Sequence, residues 1–133
     1  MLSNSWGWVA APSAVIEDAV RDALAANRVV VFATGNGPDR SPYSYDVAFP
    51  ALLTATTDVI AVGASTLTDE YKGAAGSDGL FSWGSSYVGP GPDVVAPGSW
   101  SYTTDRRGVL GYNAGPADTG IDADYTHDFG GTS

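Results

Sequence analysis

The sequence predicts an α/β fold built on a parallel β-sheet. Three observations carry this. Residues 29–33 (VVVFA), 59–64 (VIAVGA) and 93–97 (DVVAP) are short, β-branched and almost wholly apolar. Continuous apolar runs of this length suit strands buried on both faces, as in a parallel sheet covered by helices. An amphipathic helix precedes the first run, and glycine- and proline-rich connections separate the rest, which gives the α/β order.

Taken in order, Met1 and Leu2 read as the end of a strand that enters the loop Ser3-Asn4-Ser5-Trp6-Gly7. The helix begins after Pro12, with Ser13 placed to cap it and Glu17 and Asp18 near its positive end. Ile16, Ala19, Val20, Ala23 and Leu24 recur at helical spacing and form one apolar face. Strand 29–33 ends at Gly35. Residues 35–57 and 73–92 then read as long connections without clear periodicity, the kind that carries function in compact domains. Residues 99–113 alternate and turn at Arg107-Gly108, which predicts a hairpin. Residues 114–128 are acidic and read as a surface excursion.

Bulk properties set outer limits. A chain of 133 residues can bury one core. A net charge of −9 argues against nucleic acid and anionic membrane as partners. No cysteine is present, so disulfides and thiolate-bound zinc are excluded. No apolar run approaches the ~20 residues of a membrane span. The first twelve residues lack the basic and apolar regions of a signal peptide.

Three loops fall where strands end, the usual place for ligands in open α/β sheets. Ser5-Trp6-Gly7 can pair its backbone with an extended peptide, although Trp6 and Trp8 also read as packing residues. Asn36, between Gly35 and Gly37, reads either as an Asn-Gly turn or as an amide aimed at a developing oxyanion. Ser133, after Gly130, Gly131 and Thr132, reads either as part of a small-residue turn or as an exposed nucleophile. Taken singly, each is more simply a turn.

In sequence order, however, these stretches resemble the subtilisin-like serine proteases, the subtilase family. The matching motifs are Ser5-Trp6-Gly7, the helix after Ser13, Ala33-Thr34-Gly35-Asn36, Phe49-Pro50-Ala51, the VIAVGAS run from Val59, the DVVAPG run from Asp93, and Gly131-Thr132-Ser133. The match covers nearly the whole chain. The resemblance implies a three-layer subtilisin-like fold with a parallel sheet, incomplete in this chain, residues 1–133 being a partial catalytic domain. It implies that Ser133 is the nucleophile and that Asn36 donates to the oxyanion. Ser5, Trp6 and Gly7 would form the substrate rail and one pocket wall, with Ala33, Thr34 and Gly35 as the other wall.

The resemblance further implies a polypeptide substrate and a secreted or periplasmic parent. No cofactor is required, though structural calcium occurs in the family. The motifs that house the family's triad aspartate and histidine precede the matched region and are absent, so this stretch is expected to be an interior piece, inactive alone. His127 and the aspartates Asp46, Asp58, Asp105 and Asp128 are poor candidates for those roles. Asp118, Asp122 and Asp124 lack the spacing of a calcium loop and read as solvated. Two other classes stay open: a stand-alone peptide-binding module or pseudo-protease, and a structural or carbohydrate-facing domain suggested by four tryptophans and seven tyrosines. Cleavage preference is open between a kexin-like basic choice and a subtilisin-like one.

Overall fold

The structure, a computed structural model, describes residues 1–38, 45–72, 83–113 and 122–133. Asp118 and parts of the two long connections and of the acidic excursion lie outside these. In chain order the described elements are β1 (Leu2–Asn4), α1 (Ala14–Ala25), β2 (Val30–Ala33), β3 (Asn36–Pro38), a 3₁₀ turn (Ala51–Ala55), β4 (Ile60–Ser65), β5 (Trp83–Ser85), β6 (Val94–Pro97), β7 (Ser101–Thr104), a second 3₁₀ turn (Gly108–Leu110) and β8 (Tyr125–Phe129).

Strands β1, β2, β4 and β6 form one parallel sheet in that order, with Leu2 beside Val30, Val31 beside Ile60 and Val62 beside Val94. Of these, β2, β4 and β6 are the strands read from the three apolar runs and β1 the one read at Met1 and Leu2, and the fold is α/β as expected. On one face Val30, Phe32 and Ala61 are buried and meet Val20 of α1 together with Phe49, Ala51 and Leu53 around the first 3₁₀ turn. Ile16, Ala23 and Leu24 pack at the edge of this core, while Ala19 stays exposed. Ser13 occupies the N-cap position without a side-chain capping hydrogen bond. Asn27, at φ 56°, ends the helix in the left-handed conformation that asparagine tolerates.

Two carboxylate and glycine devices fix the sheet's ends. The Asp93 carboxylate accepts the Ala61 N–H at 2.7 Å and the Thr54 hydroxyl at 2.6 Å, clasping β6 to β4 and the 3₁₀ turn. Gly98 follows β6, where its N–H donates to Ser65 and its carbonyl accepts the Gly131 N–H at 2.8 Å. A Cβ on Gly98 would fall 2.5 Å from Ala64 Cβ and from the Gly131 oxygen, so only glycine allows this approach. The turn before Ser133 is thereby docked at the carboxyl end of the sheet.

Three readings change. β7 does not fold back at Arg107-Gly108. It pairs antiparallel with β8, some twenty residues later. The reason is Asp105, whose carboxylate accepts the N–H groups of Arg106 at 2.7 Å and Asn113 at 2.8 Å and rolls the intervening residues into a compact loop. Part of the acidic excursion is therefore strand β8. The long connections also hold structure: β3 pairs antiparallel with β5, Asn36 opposite Ser85.

Candidate active site

The residues singled out above come from three distant parts of the chain, and most of them meet. Ser5, Trp6, Gly7, Ala33, Gly35, Asn36, Thr132 and Ser133 line one cavity of about 200 Å³, together with Ala48. A second cavity of similar size continues along the sheet face formed by Ser3, Val31 and Val62, and shares Ser5, Ala33, Thr132 and Ser133.

The Ser5–Gly7 segment is held at both ends. Before it, Asn4 Nδ2 donates to the Val31 carbonyl at 3.2 Å. After it, Trp8 and Phe49 exchange two backbone hydrogen bonds of 3.0 Å. Gly7 lies so close to residue 49 that a Cβ would come within 2.7 Å of the Phe49 oxygen. Trp6 rests edge-on against Phe32 at 5.5 Å while about half of it stays exposed, so it is anchored to the core and open to the cleft.

At the end of β2 the chain turns through Gly35, at φ 104°, into Asn36. The Asn36 Oδ1 accepts the Thr132 N–H at 2.9 Å and the Thr132 hydroxyl at 3.1 Å. A backbone N–H can only meet an acceptor, so the amide orientation is settled by its partner. Its Nδ2 is turned the other way and finds no acceptor among the described residues, and neither does the Ser133 N–H. A Cβ on Gly131 would lie 3.3 Å from Asn36 Nδ2 and 3.8 Å from the Ser133 nitrogen. The two unused donors therefore border the same small space. Thr132 closes the clasp by accepting the Gly35 N–H at 3.1 Å.

Thr34 is placed differently from its neighbours. It is fully buried, its hydroxyl lies 3.4 Å from Ser85 Oγ, and its N–H and carbonyl bond Val62 and Ala48. Ala48 and Thr132 are cavity residues that the sequence reading did not single out. Ala48 bridges the two walls, since Cβ atoms on Gly7 and Gly35 would lie 3.2 and 3.3 Å from its own. Among the described residues no charged side chain lines this cavity.

His127 is far from these groups in role: it sits in β8, its ring stacked on Trp100 at 5.1 Å. Asp46, Asp58 and Asp105 do not line the cavity either. The Asp105 carboxyl feels some burial, which raises its pKa. The Asn113, Arg106 and Tyr112 N–H groups and the Arg106 charge outweigh that and hold it below the usual range. For calcium, the described residues contain no group of three or more acidic, histidine or cysteine side chains. Asp124 accepts the Gly108 N–H and faces Arg107, and Asp122 accepts the Asp124 N–H, so these acids serve the loop itself.

A parallel α/β sheet carrying a serine and a clasped asparagine beyond its strand ends defines the class. The family model described as the subtilase family, Peptidase S8, matches residues 1–133, and the chain belongs to this peptidase family. Calcium-dependent proteases of Trichormus variabilis and of a Nostoc species are each 39% identical over 111 residues. That alignment covers 79% of this chain and 14% of either relative, so the chain spans about a seventh of the length of the curated relatives it matches.

Proposed function

We propose that residues 1–133 are part of the catalytic domain of a serine endopeptidase and carry its nucleophile, Ser133, and its oxyanion donor, Asn36. The observation that supports this most is that Asn36 and Ser133, whose Nδ2 and N–H find no acceptor among the described residues, line one cavity with the Ser5–Gly7 segment.

In this reading an extended peptide lies along Ser5–Gly7, with the side chain before the scissile bond in the cavity lined by Gly7, Ala33, Gly35 and Ala48. Thr34 supports that wall from beneath through its backbone bonds. Ser133 Oγ attacks the carbonyl carbon while its proton passes to a histidine base. The oxyanion accepts from Asn36 Nδ2 and the Ser133 N–H. Collapse breaks the C–N bond, the amine leaves with that proton, and water hydrolyses the acyl-enzyme.

The base and its aspartate come from parts of the parent outside these residues, because the single histidine is committed to Trp100 in β8. The isolated stretch is therefore inactive. The parent is secreted or periplasmic. The relatives' calcium-dependent name makes a calcium-stabilised parent the natural extension, but the described acidic side chains offer no cluster for the ion and no step is assigned to it. A fluorophosphonate tests the reading: it should label Ser133 in the full-length protein and leave residues 1–133 alone almost unmodified. Full-length protein that binds peptide yet resists the label would instead be a pseudo-protease.

A further inference from the structure

We infer that Tyr71, acting through Ser85 and Ser86, is a positioning residue for Asn36. This rests on the proposed role of Asn36 as oxyanion donor. Among the described residues β3 pairs with β5 alone, a ribbon of Asn36–Pro38 against Trp83–Ser85 that is separate from the parallel sheet. An oxyanion donor must be held to a fraction of an ångström.

What fixes the ribbon is a buried set of hydroxyls behind it. Ser85, opposite Asn36, is fully buried and its Oγ accepts the Ala64 N–H at 3.1 Å, which ties β5 to β4. The Tyr71 hydroxyl lies 3.0 Å from the Ser85 carbonyl, 3.1 Å from the Ser86 carbonyl and 3.1 Å from Ser85 Oγ. The Ser86 N–H in turn donates to Gly35, immediately before Asn36, at 2.9 Å. Tyr71 is itself braced, since it bridges Ser65, and the next residue, Lys72, donates its N–H to Ala64 and accepts that of Ser85. One phenol thus connects the rigid sheet to both sides of the turn that carries Asn36. Burial raises the Tyr71 pKa; the Ser85 hydrogen bond opposes this and nearby Tyr87 adds to it, so the phenol keeps its proton. Gly63 leaves room for the arrangement, since a Cβ there would fall 2.9 Å from Ser85 Oγ and 3.2 Å from the Tyr71 ring.

The test is a double-mutant cycle in the full-length protein with a peptide amide substrate. Tyr71→Phe removes one oxygen and should lower kcat about tenfold while KM stays within about twofold. In an Asn36→Ala background the same change should cost nothing further, because the group it positions is gone. An equal loss in both backgrounds, or none in the native one, overturns the inference. Should Tyr71→Phe fail to fold, Gly63→Ala presses on the same hydroxyls and should give the same pattern. A native protein that neither hydrolyses peptides nor takes the fluorophosphonate defeats the protease reading instead. The positioning role is then read from deuterium exchange, which should quicken over residues 35–37 in Tyr71→Phe; unchanged exchange overturns it.

Discussion

Around Asn36 the decisive hydrogen bonds join residues 96 apart in sequence, whereas around Asp105 they join residues one and eight apart. The two regions look alike as sequence, both being glycine-punctuated loops after a strand. The Asn36 clasp exists only when β2, the Gly98 docking point and the Gly131–Ser133 turn have all been assembled. The Asp105 loop is organised by one carboxylate and its immediate neighbours. Long-range contacts bring chemistry from distant segments to one point, while local ones only shape a surface.

Changes at the clasp should therefore cost catalysis far more than changes at the loop. If Asn36 is the oxyanion donor proposed above, Asn36→Ala in the full-length protein should lower kcat about 10²–10³-fold with KM little changed, the known scale for removing one such donor from a subtilisin. A loss below about tenfold would place Asn36 outside the transition-state contacts. Thr132→Val keeps the N–H bond to Oδ1 but removes the hydroxyl that Asn36 and Gly35 share. The expected cost is about tenfold in kcat, from one lost buried hydrogen bond and one orphaned N–H.

The Ser5–Gly7 segment separates packing from chemistry. Gly7→Ala sets a methyl against the Phe49 oxygen and should destabilise the protein by about 1–3 kcal/mol, read as a lower denaturant midpoint. An unchanged midpoint would mean that this segment moves freely away from Phe49.

The smallest effect belongs to the Asp105 loop. Its carboxyl titrates below the ordinary aspartate value in the folded state. Its contribution is thus complete above about pH 4, the unfolded value, and is lost as the pH falls through the lower folded one. The Asn113 amide resonance should hold its position down to about pH 4 and shift below it, with the loop opening while β2 and β4 stay protected. A shift centred near pH 6 would contradict the carboxylate's role.

The parallel strands were legible because residues 29–33 carry no polar side chain, but among the described residues the expected burial on both faces is not found: Val30 and Phe32 are buried, Val31 and Ala33 are half-buried, and β6 is exposed along its length. The motif order was legible too, since small residues must stand wherever backbones approach, as at Gly98. The partner of β7 was not, because alternation shows which residues share a face and not which strand lies beside them. Ala48 was hidden as one apolar residue inside a long connection. The work of Thr132 was hidden because its bonds reach Gly35 and Asn36, which no local pattern reveals.

The most direct measurement is a crystal structure of the full-length protein with a phosphonyl adduct on Ser133. One adduct oxygen should lie about 2.7–3.1 Å from both Asn36 Nδ2 and the Ser133 nitrogen, with Thr132 still bonded to Oδ1. An adduct oxygen pointing to solvent, with the Asn36 amide turned away from it, would contradict the account.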